Sequence, residues 1–304
     1  MANIQPLLSW CQKAGCPCRA EEAMAGYTTF RIGGPAQLLI LPQNKEQLAE
    51  VIKIAGQHKI PVHFIGNGSN LLAADQGVEG AVICLANPHF GEEPVLLEHN
   101  RVFCTAGVKL ASLCRFALKH SLTGLEFAYG IPGAVGGAVY MNAGAYGGEI
   151  KDVILWAEHL DHNGKAGTFS KEELALSYRR SIYMEKNFCI TGAVFALSLG
   201  EKEEIRRRMD DYMDRRRTKQ PLEYPSAGST FKRPDGAFAS ALIDQCGLKG
   251  RRVGGACVST KHAGFIVNDQ NATCKDVLHL IAQVQEEVLA KTGFSLECEV
   301  KLLK

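Results

Sequence analysis

No stretch of this sequence approaches the roughly 18 consecutive apolar residues that mark a membrane-crossing helix. The amino-terminal MANIQPLLSWCQKAGCPC also lacks the basic region and long apolar run of an export signal. A soluble, cytoplasmic chain with no membrane partner is therefore expected. Charge of one sign is equally scarce, because the 304 residues carry a net charge of only +2 and set up no bulk field for nucleic acid or an anionic surface. Recognition must be local. Spaced metal ligands are missing too: none of the 11 cysteines falls in a C-x-x-C pair, and Cys11, Cys16 and Cys18 have neither zinc-ribbon spacing nor a nearby histidine. No metal is expected, and the thiols should be reduced and mostly buried. What is there, 46% hydrophobic and 22% charged residues, is the composition of a globular chain of about two domains with a substantial core.

Periodicity gives the order of elements. PAQLLILP is expected as a strand, NKEQLAEVIKIAGQHK as a helix with Asn44 and Gln47 forming a capping box, and KIPVHFIG as the next strand. Leu48, Val51, Ile52 and Ala55 recur at helical spacing, so this is a β-α-β unit. AVICL and RVFCTAG then read as strands and VKLASLCRFALKH as a helix burying Leu110, Leu113, Ala117 and Leu118. VILWAEHLD and ITGAVFALS close the first region. The charged segment from Gly200 to Lys219 marks its boundary, with a smaller α+β unit beyond. Two arginine triplets in that segment suggest a nucleic-acid partner, but acidic residues stand four positions before several of them and no aromatic platform is interleaved for base stacking. A solvated connecting helix is expected, and no nucleic acid.

The most unusual segment is GIPGAVGGAVYMNAGAYGGE, from Gly130 to Glu149, with seven glycines and four alanines. Either it is a set of tight turns between packed elements, or something must approach its backbone closely. A second glycine-rich loop, GNGSN at Gly66–Asn70, follows a strand. Neither has the G-K-[ST] of a triphosphate loop or the G-x-G-x-x-G of a dinucleotide fold. Any phosphate is held differently.

TTFRIGGPA, GNGSNLL, GIPGAVGGAVYMNAGAYG, YRRS, GSTFKRP and LECEV occur in one order from about Thr28 to Leu303. As an ordered set they closely resemble the UDP-N-acetylenolpyruvoylglucosamine reductases, flavoenzymes of peptidoglycan synthesis and so of cell-wall biogenesis, cell shape and cell division. The resemblance implies an α+β chain, with a two-subdomain FAD-binding region of the p-cresol methylhydroxylase type over residues 1–200 (subdomains about 20–85 and 86–200). A smaller α+β substrate-binding domain would follow over 201–304. It implies FAD and NADPH as cofactors, and FAD held by Gly66, Asn67, Gly68, Ser69 and Asn70 and by Gly130, Pro132, Gly133, Gly136 and Gly137. Arg31 would belong to the framework facing it. A monomer is expected.

The same resemblance implies reduction of the enolpyruvyl group of UDP-N-acetylglucosamine enolpyruvate to UDP-N-acetylmuramate. Hydride addition builds an enolate-like state that needs electrostatic stabilisation and then a proton. By the match of motifs Arg179 would hold the substrate carboxylate, Ser229 would deliver the proton, and Glu299 would complete the catalytic set. Glu297 and Glu299 share one face of an alternating strand, FSLECEVKLL, whose other face is Phe294, Leu296, Cys298, Val300 and Leu302. Only the resemblance selects Glu299. Arg180 falls where many relatives have an acid. Tyr178, Lys219, Lys232, Arg233 and His262 would line the substrate pocket, with Lys219 on the diphosphate. The short run from Ile190 to Gly200 implies the form of the family without an extra substrate-covering tyrosine loop. Two other classes are weighed: a flavin oxidase of the same cofactor fold, against which the carboxy-terminal motifs stand, and a binding module without chemistry, against which Arg179, Ser229 and Glu299 stand together.

Overall fold

The computed structural model describes residues 2–87, 90 and 94–304. Its contacts divide the chain into two compact units, one of Met1–Ala20, Leu38–Asn67 and Gly80–Arg215, the other of Glu21–Gln37, Gly68–Glu79 and Arg216–Lys304. Both mix helices with mainly antiparallel strands, an α+β arrangement.

In the first unit the helix Lys45–Gln57 buries Leu48, Val51, Ile52 and Ala55, the stripe that the spacing predicts. The Asn44 side chain accepts the Gln47 N–H at 2.8 Å, a cap worth about 1 kcal/mol. The reciprocal contact falls one residue earlier than expected, with the Gln47 side chain accepting the Gln43 N–H at 2.9 Å. The strands on either side of this helix are not neighbours. Val78–Cys84 lies between Pro35–Ile40 and Val62–Ile65 and runs parallel to the latter, and Cys18–Ala23 forms the far edge. A second, antiparallel sheet has the order Ala166–Ser170, Ile154–Leu160, Cys189–Ala196, Arg101–Thr105, Val95–Leu97. Its central strand, CITGAVFA, is buried almost throughout, as an apolar run without alternation requires. Helix Leu110–Lys119 buries Leu110, Leu113, Cys114 and Ala117, and Leu118 only packs partly against the core.

Helix Lys202–Lys219 carries the arginine triplets, with Glu204 3.4 Å from Arg208 and Asp211 2.8 Å from Arg215. Such exposed pairs contribute a few tenths of a kcal/mol each, about what keeps a charged helix solvated and helical. Among the described residues no helix is long and apolar enough to cross a membrane. All the cysteines are free thiols, and all but Cys18 and Cys298 are buried. Burial pushes the Cys84 thiol up to about 11, so it is not a ready nucleophile.

The second unit is built on the antiparallel strands Arg252–Val253, Ala256–Val258 and Ile266–Asn268 with helices Ala239–Gln245 and Cys274–Thr292. The long helix buries Val277, Leu280, Ile281, Val284 and Val288, opens with a Thr273–Asp276 capping box and ends at Gly293 with φ +75°. Two early segments, placed by the sequence reading in residues 1–200, pack with this carboxy-terminal part. Leu71–Ala73 pairs in parallel with Lys301–Leu303. Asp75 accepts the Cys274 and Lys275 N–H groups at 2.7 and 3.0 Å, adding an anion at the positive end of the helix. Phe30, Ile32 and Leu72 join the core of this unit. Pairing between strands so far apart leaves no local mark in a sequence, so a single cut near 200 is all that composition suggests.

Candidate active site

The glycine-rich loops meet in the first unit. Gly66 and Asn67 follow strand Val62–Ile65, Gly130–Ala134 leads into helix Val135–Tyr140, and Asn67 Nδ2 donates to the Pro132 carbonyl at 2.6 Å. The glycines have different reasons to be glycine. A Cβ on Gly136 would stand 2.9 Å from the Ala106 Cβ, and on Gly68, at φ +61°, 1.9 Å from the Tyr27 carbonyl oxygen. Packing of the chain against itself requires both. The N–H groups of Val135 and Gly136 are likewise committed, to the Val108 and Ala106 carbonyls at 2.9 Å each, so neither is free to cradle an anion. Gly137 is the contrasting case. It is exposed, and a Cβ there meets no described heavy atom within 4 Å. No neighbour in the chain demands a glycine at 137, which fits backbone kept bare for a ligand.

Tyr178 and Arg179 occupy the centre of a tight turn in the same unit, closed by Ser177 N–H to Arg180 O at 3.2 Å and Arg180 N–H to Ser177 O at 3.1 Å. Arg179 has φ +55°. A long side chain held in the left-handed region costs of order 1–3 kcal/mol and persists only where its surroundings fix it. Its guanidinium lies 5.2 Å from the centre of the exposed Tyr178 ring, a cation–π geometry. The neighbouring Arg180 turns to a surface carboxylate, Glu185, at 2.5 Å. The two neighbouring arginines thus have different surroundings.

The second unit gathers the carboxy-terminal motifs. Gly228, at φ +76°, turns the chain, and Ser229 is exposed just after it. Thr230 is fully buried: its N–H donates to Gly264 O at 2.8 Å, its hydroxyl accepts the Ile266 N–H at 3.0 Å, and its carbonyl accepts the Glu299 N–H at 2.8 Å. With Phe231 opposite Cys298 and Lys232 N–H on Glu297 O at 2.8 Å, residues 230–232 run antiparallel to 297–299. Thr230 is thereby the residue paired with Glu299, and Ser229 precedes it by one position. Thr230, which anchors both, carries no signal in the sequence beyond its place after the serine.

The two glutamates have different surroundings. The Glu297 side chain is 72% exposed and forms an ion pair with Lys232, whereas Glu299 is half-buried. Asn70, assigned above to the cofactor, donates from Nδ2 to the Glu299 carbonyl at 3.2 Å, and its own carbonyl accepts the Lys301 N–H at 2.9 Å, so it braces the glutamate's segment. Regular strand covers only Lys301–Leu303, and pairing with Leu71–Ala73 shifts the alternation: Leu303 is buried and Leu302 exposed, against expectation. Of the remaining candidates, Lys219 is exposed at the end of helix Lys202–Lys219, and Arg233 stacks 3.9 Å from the ring of exposed Phe238. His262 accepts the Gly264 N–H at 3.2 Å and packs edge-on to Phe265, supporting the loop behind Thr230; burial lowers its pKa.

Residues 36–170 match the FAD binding domain family, and residues 220–303 match the family described as UDP-N-acetylenolpyruvoylglucosamine reductase, C-terminal domain. Over 280 residues, 92% of this chain and 90% of the relative, the sequence is 49% identical to the UDP-N-acetylenolpyruvoylglucosamine reductase of Clostridium novyi. The chain belongs to the UDP-N-acetylenolpyruvoylglucosamine reductase family. The relative from Caldanaerobacter subterraneus is 46% identical over 93% of this chain and 92% of its own length. The solved structure of the Thermus caldophilus reductase aligns at a TM-score of 0.81 and 37% identity, covering 95% of this chain and 99% of that one. An FAD-binding domain of the p-cresol methylhydroxylase type followed by a smaller domain is therefore the architecture, and family membership makes the chain a flavoprotein oxidoreductase of peptidoglycan synthesis.

Proposed function

We propose that the chain reduces the enolpyruvyl group of UDP-N-acetylglucosamine enolpyruvate to UDP-N-acetylmuramate with NADPH as electron donor. The observation that carries this reading is the antiparallel pairing of residues 230–232 with 297–299, which sets half-buried Glu299 opposite Thr230, the residue that follows Ser229. When bound, FAD would pass the electron pair of NADPH as hydride to the enolpyruvyl methylene. Gly66, Asn67, Ser69, Gly130, Pro132, Gly133 and Gly137 would hold it, while Gly68, Asn70 and Gly136 shape and brace the loops. Arg179 receives the substrate carboxylate in its planar fork of donors. As negative charge develops there, Ser229 gives its hydroxyl proton to the carbon bearing the carboxylate. Glu299 completes the set of groups that meet this charge. Lys232, beside the turn, favours the alkoxide that Ser229 becomes. Lys219, Tyr178 and Arg233 serve the UDP-sugar, Lys219 as a point charge on diphosphate. The direct passage from strand Cys189–Ala196 through Ser198–Leu199 into helix Lys202–Lys219 supports the form without a tyrosine loop.

Two tests follow from these placements. NADPH consumption should depend on the enolpyruvyl nucleotide and yield a product heavier by two hydrogens; consumption without it, with hydrogen peroxide formed, would favour the oxidase reading instead. Gly137→Val should leave thermal unfolding near normal and lower the flavin-to-protein ratio, because valine there meets no neighbour in the chain but would stand in the way of a bound cofactor. Gly136→Val should instead unfold the unit, since Ala106 stands in its way. Full flavin content in folded Gly137→Val contradicts the placement.

A further inference from the structure

We propose that Asn142 is the positioning residue that aims the Arg179 turn, an inference that rests on the reading of Arg179 as the ligand of the substrate carboxylate. Asn142 is fully buried in a run otherwise dominated by glycine and alanine, just past helix Val135–Tyr140, and has φ +41°. Both polar atoms of its side chain are engaged. Nδ2 donates to the Ser177 carbonyl at 3.0 Å and to Glu149 Oε2 at 2.5 Å, and Oδ1 accepts the Lys151 N–H at 2.9 Å. The Ser177 carbonyl is the one that also accepts the Arg180 N–H and closes the turn. A second brace holds the other end, where the buried Ser181 hydroxyl donates to the Tyr140 carbonyl at 2.7 Å.

The turn's own hydrogen bonds fix its shape but not its direction. Direction comes from Asn142 and Ser181, which clamp both ends of the turn to the last residues of the helix that follows the glycine loop. Glu149 is itself fixed, by an ion pair with Lys151 at 2.5 Å and by a capping box with Asp152, so the clamp has a rigid base. An apolar residue of similar size would fill the volume and make none of these contacts. Aspartate would set an anion against Glu149 and an oxygen against the Ser177 carbonyl, turning attraction into repulsion.

A double-mutant cycle separates aiming from packing. Asn142→Ala should bind FAD and be reduced by NADPH almost normally, bind the enolpyruvyl nucleotide more weakly by calorimetry, and reoxidise about 10- to 100-fold more slowly at saturating substrate, as a displaced orienting group does. Asn142→Asp should lose at least as much. In an Arg179→Ala background the further loss should shrink to less than about 3-fold, because a residue acting through Arg179 cannot remove its contribution twice. Additive losses, or a full rate in Asn142→Ala with Arg179→Ala impaired, overturn the proposal and leave the assignment of Arg179 standing. A full rate in Arg179→Ala overturns that assignment and the proposal with it. If Asn142→Ala fails to hold FAD, Ser181→Ala, which removes one hydroxyl, carries the same test: slowed reoxidation that is non-additive with Arg179→Ala supports the clamp, and a full rate refutes it.

Discussion

Replacing Ser229 with alanine is expected to leave flavin reduction by NADPH near its normal rate and to slow reoxidation by the enolpyruvyl substrate by about 10²–10⁴, the range for loss of a positioned general acid. Serine is a weak acid, but an enolate is a strong base, and the hydroxyl needs only a nearby donor or cation to stabilise its alkoxide. Lys232 and Glu299 belong to the two segments paired beside it. The variant is clean because the turn is not held by the serine: Thr230, with three hydrogen bonds and full burial, fixes the segment from the next position. Serine to cysteine should retain more activity, since a thiol still gives a proton. If Ser229 only shapes the turn, alanine will shift substrate affinity and leave the saturated rate of reoxidation almost unchanged.

Glu299→Gln should lower turnover by roughly 10²–10³, the scale of a lost transition-state contact, while Glu297→Gln should have little effect. Both positions point to one face by periodicity, so the comparison isolates surroundings rather than sequence neighbourhood. Glu297 is exposed and engaged with Lys232, and surface pairs of that kind are worth about 0–1 kcal/mol. Glu299 is half-buried, its N–H on the Thr230 carbonyl and its own carbonyl accepting from Asn70. An amide keeps the size and can still donate hydrogen bonds but carries no acid proton, so a loss on the larger scale reports acid character at 299. Equal effects at both positions would mean that the motif has been read two residues out of register.

The helices and the buried strands were legible because their signal is local. The stripe of Leu48, Val51, Ile52 and Ala55 states its burial in adjacent residues, and the largely apolar run of Cys189–Ala196 states its strand. What local patterns could not state were pairings at a distance. Leu71–Ala73 against Lys301–Leu303 moves an early segment into the carboxy-terminal unit and shifts the final alternation by one residue. The ordered motifs made the family legible, but they could not give each glycine its reason. Gly68 and Gly136 answer to backbone and Cβ atoms elsewhere in the chain, whereas Gly137 does not. Asn142 and Thr230 were missed because their importance lies in hydrogen bonds to partners that no spacing rule links to them.

The most direct test is to mix the purified yellow protein with NADPH in the absence of oxygen, follow the flavin absorbance, and then add UDP-N-acetylglucosamine enolpyruvate. The absorbance should bleach with the first addition and return with the second, with UDP-N-acetylmuramate formed in equal amount to the NADPH consumed. Protein that remains colourless with added FAD, or a bleached flavin that recovers only when air is admitted, would contradict the account.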